Sequence, residues 1–164
     1  MKRIMQSTLA FAIAMTFSVV TVKAQELEEI IVTATKKEES LQDISVSVTV
    51  VDGELIEKAA INSLQDLGRY VPNFSVSENA ISTIATMRGI SIGANQSFEQ
   101  SVGLFVDGVH LPKGRQFRTG LFDVERVEVL RGPQGTLFGK NTLTGAINVI
   151  SAKPVIGADD ISGR

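Results

Sequence analysis

Cysteine is absent from this chain of 164 residues, which excludes disulfides, a thiolate nucleophile and any cysteine-ligated metal. That absence is compatible with an oxidising compartment but does not identify one. Tryptophan is absent too, aromatic residues make up 5% and the single tyrosine is Tyr70. A membrane-spanning β-barrel needs alternating strands of about ten residues and aromatic girdles at both interfaces, so the chain is not itself a small barrel. The one histidine, His110, cannot form a histidine-rich metal site. No serine or aspartate stands at a spacing that suggests a triad, and His110 reads as a loop or strand-end residue. Asp107, Asp123 and Asp159-Asp160 lack EF-hand spacing. The sequence therefore offers no catalytic residue, no metal site and no cofactor.

What is present is a hydrophobic fraction of 43%, enough for one packed domain. Met1 to Ala24 reads as a secretory signal peptide. Lys2 and Arg3 supply the positive start, Leu9 to Val22 the apolar stretch, and Val22-Lys23-Ala24 a small-residue site before Gln25. That apolar stretch is too short to cross a bilayer comfortably. Cleavage would remove three cations and no acid, taking the net charge from −2 to −5. A mildly acidic mature chain argues against nucleic-acid binding.

After the cleavage site, residues 25–40 read QELEEIIVTATKKEES. A short β-prone strip, Ile30 to Ala34, lies between charged flanks. It is either the first strand of the domain or a strand offered to another protein by main-chain pairing. Ile44 to Val51 then alternates apolar and hydroxyl residues, a strand with one buried face. Glu54 to Ala60 carries Leu55, Ile56 and Ala59 at the helical spacing of an apolar face, with Asp52 as its cap, and Ser63 opens a second short helix with Leu64 and Leu67 facing inward. Phe74 to Ser77, Ile84 to Ile90 and Val102 to Val106 read as strands. Asp107-Gly108 is a hairpin turn leading to a return strand at Val109 to Leu111. Lys113 to Gly120 is basic and glycine-punctuated, either a solvated loop or a surface that meets an anionic ligand or a wall. Six or seven short strands with two short helices make an α+β domain on a small mixed β-sheet with long loops.

The organising stretch is Phe122 to Ile150, a strand at Val124 to Leu130, a turn at Gly132-Pro133, three spaced glycines and a second strand at Ala146 to Ile150. Its glycine loop approaches a phosphate-binding pattern but fails it twice. Gln134 stands where the first glycine belongs, and Asn141 replaces the hydroxyl that would hold magnesium. A nucleotide-dependent enzyme would rest on that defective loop alone. The glycines fit sharp turning and close passage past a neighbouring wall instead.

Arg131-Gly132-Pro133-Gln134-Gly135-Thr136-Leu137-Phe138-Gly139, followed by Gly145 to Ile150, resembles the signature of the plug domain of TonB-dependent outer-membrane receptors. The resemblance covers nearly all of the mature chain, about Glu28 to Pro154. Lys140 to Leu143 departs modestly, occupying a stretch often written with arginine and more glycine. It implies energised uptake of a scarce nutrient such as a ferric siderophore, without chemistry on the ligand, by a plug set in a large outer-membrane barrel. The implied organisation is a signal peptide at 1–24, a flexible arm at 25–40, the plug at 41–154 and the start of a barrel strand at 155–164. Within the arm, Glu29, Ile30, Ile31, Val32, Thr33 and Ala34 resemble the TonB box gripped by the TonB energy-transducing complex, and Thr35 to Leu41 would be its tether. Arg88 and Arg131 sit where family members pair with barrel glutamates. From the residues alone they fit equally an internal ion-pair network or a solvent-facing edge. The expected ligand-facing loops are Ser91 to Gln100, with Asn95 and Gln96, and Pro112 to Thr119, with Arg115 and Phe117. The competing reading is a stand-alone periplasmic binding or signalling module that never had a barrel.

Overall fold

A computed structural model of the chain describes residues 30–154, apart from 34, 35, 38, 43, 79, 81, 82 and 93–98. The signal peptide, Glu29, Ala34, Asn95, Gln96 and residues 155–164 lie outside the described residues. The element order is β1 (Ile31–Val32), β2 (Glu39–Ser40), β3 (Ser47–Asp52), α1 (Gly53–Lys58), α2 (Leu64–Leu67), β4 (Phe74–Glu78), β5 (Thr83–Met87), β6 (Val102–Val106) and β7 (Val109–His110). After these come a 3-10 turn (Gly114–Arg118), β8 (Val124–Arg131), α3 (Gly135–Phe138) and β9 (Gly145–Ser151). Among the described residues no helix is long and apolar enough to cross a membrane, a statement that does not bear on β-barrels.

The body is a five-stranded sheet in the order β3-β8-β9-β6-β7, in which β6 and β9 run parallel and the other neighbours antiparallel. β4 and β5 form a separate antiparallel hairpin. The α+β class and the small mixed sheet expected from the sequence are therefore present. β8 explains the sheet's two-sided character. Val127 and Val129 point into the larger core with Ile56, Leu64, Leu67, Phe74 and Ile147. Leu130 faces the other way, against Val32, Phe105 and Ala146. A strand covered on both faces loses the plain alternation of a half-exposed one. β3 behaves similarly: Val51 joins the larger core, while Val48 and Val50 pack on the opposite side.

The local signals operate as expected. The Asp52 carboxylate accepts from the Leu55 amide at 2.6 Å, capping α1, and Ser63 Oγ accepts from the Asp66 amide at 3.2 Å, capping α2. Leu64 and Leu67 are buried. Asp107 and Gly108 both take positive φ, 48° and 81°, as a tight hairpin turn between β6 and β7 requires.

Four local expectations need correction. The strand drawn to Ile90 ends at Met87, because Arg88 has φ +52° and turns the chain back so that Met87 bridges Ile90. Leu55 on α1 is 40% exposed rather than inward, and Ile56 alone in that helix is buried. The segment Lys113 to Gly120 is not an open loop: its Gly114–Arg118 form a 3-10 turn, the Lys113 amide donates to the Gln116 side chain, and Phe117 is 1% exposed within the larger core. The fourth concerns the arm. The segment expected to be a loose tether contains β2, which pairs with β1 in the register Ile31 to Ser40 and Val32 to Glu39. The hairpin is a separate two-stranded ladder, neither added to the main sheet nor free of the body.

Candidate functional site

The arm hairpin lies on the face of the sheet opposite α1 and α2, and one row of residues explains why it docks there. Across the strands, Val50 pairs with Glu128, Glu128 with Asn148, Asn148 with Phe105, and Phe105 with His110. Phe105 and His110 stack with ring centroids 4.9 Å apart, and Phe138 tilts against Phe105 at 4.8 Å. Val32 of the arm is 0% exposed and packs on Phe105, Leu130 and Ala146. Burying such a side chain contributes about 1.5–3 kcal/mol.

Beside that apolar contact sits a carboxylate that is itself 0% exposed, Glu128. A buried charge needs partners, and four donors meet this one. The Thr33 amide donates to Oε1 at 2.8 Å and the Thr33 hydroxyl at 3.2 Å. Arg126 Nε donates to the same oxygen at 2.9 Å, and Asn148 Nδ2 donates to Oε2 at 3.3 Å. Arg126 also pairs with Glu125. Around this point a groove of about 720 Å³ runs between hairpin and sheet, lined by Ile31, Phe105 and Phe138 together with Lys36, Lys37 and Lys153.

A second group lies at the far end of β8. Arg131 ends that strand half-buried, and its Nε is buried without a hydrogen-bond partner. Arg88, exposed at its turn, lays its guanidinium over Gly132, where a Cβ would stand 3.3 Å from Nη1. Among the described residues neither arginine forms an ion pair. Among the described residues, then, no internal ion-pair network holds this pair.

The chain between residues 112 and 142 is tied together near Glu99. Asn141 donates to its carboxylate at 2.7 Å, and that bond, with Lys140 alongside, holds the Glu99 carboxyl below its ordinary range. Ser91 and Arg115 are exposed, as a ligand-facing role requires, whereas Phe117 is removed from it by burial. Among the described residues no group of histidines and carboxylates is arranged to hold a metal ion.

The model of the TonB-dependent receptor plug domain matches residues 40–146. The chain belongs to that family. Over 133 residues the plug is 35% identical to the pesticin receptor of Yersinia pestis, covering 79% of this chain and 20% of that protein. It is 34% identical over 159 residues to the vitamin B12 transporter BtuB of Vibrio vulnificus, covering 89% of this chain and 25% of that one. Among solved structures, the ferric yersiniabactin uptake receptor FyuA of Yersinia pestis superposes with a TM-score of 0.61 at 34% identity, over 66% of this chain and 17% of that chain. The ferripyoverdine receptor of the outer membrane of Pseudomonas aeruginosa gives 0.62 at 25% identity, over 77% and 17%. The chain thus spans about a fifth to a quarter of the curated relatives' length. These relatives are transport receptors, and their plugs are parts of much longer receptors, which favours the plug reading over a stand-alone module.

Sequence reasoning placed Arg131 just beyond a strand, drew Arg88 inside one, and named Ile31, Val32 and Thr33, but it missed Glu128 and Asn148 as members of one site. The signal was there in the alternation. Glu128 shares the side of β8 with Leu130, and a glutamate on a covered face must be held by donors from elsewhere.

Proposed function

We propose that this plug closes the barrel of an outer-membrane receptor that takes up a scarce nutrient, a ferric siderophore being the class that fits best. Its action is transport without chemistry on the ligand. Ligand arriving at the outer loops, Ser91 to Gln100 and the exposed Arg115, makes the segment Glu29 to Ala34 available to the TonB complex in the periplasm. Tension on that segment then shifts the plug in its barrel. Arg88 and Arg131 pair with carboxylates of the barrel wall and hold the plug in place.

The observation that carries this reading is the arginine pair itself. Arg131 Nε is buried without a partner, which costs about 1–3 kcal/mol, and with Arg88 lying exposed over the adjoining Gly132 the two cations suit an acidic surface outside the domain. The names of the relatives supply the ligand class, because siderophore and vitamin receptors carry this same domain.

The test is uptake of radiolabelled ferric siderophores by cells whose only such receptor is the full-length protein, with and without a functional TonB. Uptake that requires TonB and is lost in the Ile31→Pro variant, which cannot offer a continuous strand at the box, supports the proposal. Uptake indifferent to TonB would refute it.

A further inference from the structure

We propose that Glu128 is a positioning residue, a charged clasp that holds the arm hairpin on the sheet and can open without disturbing the core beneath it. The inference stands on geometry alone and does not need Glu29 to Ala34 to be the grip of a transducer.

Three features carry it. First, no main-chain ladder joins the hairpin to the five-stranded sheet among the described residues; β1 pairs only with β2. The main chain of Thr33 is held instead by a side chain, its amide donating to Glu128 at 2.8 Å. Second, the carboxylate is provided for on both sides of an opening event. If the arm lifts, the two Thr33 donors leave, but Arg126 Nε stays on Oε1 and Asn148 Nδ2 on Oε2. A buried carboxylate whose every donor came from the arm would make lifting prohibitive, whereas this one keeps a partner on each oxygen and meets incoming water. Third, the clasp is on the opposite face from the larger core. Val127 and Val129, its neighbours on β8, are fully buried in that core and have no part in holding the arm. Docking is thus a local equilibrium in which Val32 supplies apolar contact and Glu128 fixes where Thr33 must sit. Thr33 is further tied by the Asn148 amide, which donates to its hydroxyl at 3.4 Å.

The chain has no cysteine, so a single introduced thiol reports without background. Val32→Cys places a small apolar thiol at a site that is 0% exposed while the arm is docked. Its rate of modification by a maleimide in the full chain measures how often the arm lifts. Val127→Cys, buried on the other face of the same strand, reports opening of the core. Glu128→Gln removes the charge, and its single amide nitrogen must face either the Asn148 donor on one side or the Arg126 and Thr33 donors on the other. It is expected to speed modification at residue 32 roughly tenfold, the factor equivalent to losing one charged hydrogen bond, with the rate at residue 127 unchanged. Thr33→Val, which removes only the hydroxyl, should give roughly a threefold increase. Equal acceleration at both thiols would show that Glu128 merely supports the fold, and an unchanged rate at residue 32 would show that the arm docks without help from the carboxylate; either result overturns the proposal. Should Glu128→Gln fail to fold, the Thr33→Val rate decides in the same way, an unchanged value counting against the clasp.

Discussion

Adding one methyl group at Gly145 tests how closely β9 approaches its neighbours. Gly145 begins that strand opposite Arg131, and a Cβ there would collide with the carbonyl oxygen of Leu130 and the sulfur of Met87. The methionine can swing aside. The carbonyl cannot, because Leu130 is in register with Val48 on one side and Ala146 on the other, so displacing it disturbs two ladders. Overpacking of this kind costs about 1–3 kcal/mol, and an immovable backbone partner places Gly145→Ala near about 3 kcal/mol. Two comparators fix the scale. Gly139 has φ +79° and ψ −153°, a region essentially restricted to glycine, with open space around it, so Gly139→Ala pays the conformational penalty alone, about 1–3 kcal/mol. Gly135 has nothing within 4 Å of a new Cβ and starts a short helix, so Gly135→Ala should stabilise by about 0.5 kcal/mol. Urea unfolding followed by far-UV circular dichroism reads the series. With a slope of about 1.5 kcal/mol per molar, Gly145→Ala lowers the midpoint by about 2 M. A midpoint within about 0.3 M of the parent would show that the sheet yields at this point and that the packing argument is wrong.

Asp107 accepts from the Ser151 amide at 2.9 Å and from its hydroxyl at 2.8 Å, and these bonds hold its carboxyl below the ordinary range. A folded pKa below the unfolded one means the contribution is whole above about pH 3.9 and is lost as pH falls through the folded value. The stability gap between parent and Asp107→Asn, about 0.5 kcal/mol for so exposed a group, should therefore hold from neutral pH down to about pH 4 and shrink below it; a gap that stays constant in thermal melts carried well below that pH would contradict the assignment. Leu67→Ala, at a 0% exposed site in the larger core, should cost about 3 kcal/mol in urea unfolding. Asp52→Ala removes the cap of α1 and should cost about 1 kcal/mol in the same assay. Arg131→Met, which replaces a side chain with an unpartnered buried nitrogen, should leave this chain as stable or more so while impairing uptake by the full-length receptor; a loss above about 1 kcal/mol in the chain would mean that Arg131 is satisfied internally.

The parts of the fold legible in the sequence are those that short-range chemistry dictates. The caps at Asp52 and Ser63, the Asp107-Gly108 turn and the strands at Val102 to Val106 and Ala146 to Ile150 follow from residue types alone. Arg88 was harder to place. A non-glycine residue at positive φ gives no warning within an apolar run, and the turn there is set by Met87 closing on Ile90. Phe117 was misjudged because a basic, glycine-containing segment reads as solvated, while its one aromatic side chain had room in the larger core. The arm's docking lay beyond local reading altogether, since Thr33 and Glu128 are separated by 95 positions.

The order of strands in the sheet also governs when it can exist. β9 is the strand that joins β8 to β6, so until residue 151 is available the sheet is limited to two unconnected pairs, β3-β8 and β6-β7. Contacts between such distant positions form late and slowly. A polypeptide threaded amino-terminus first through a narrow channel would therefore present no complete sheet to jam the passage, and assembly of all five strands would wait for arrival on the far side.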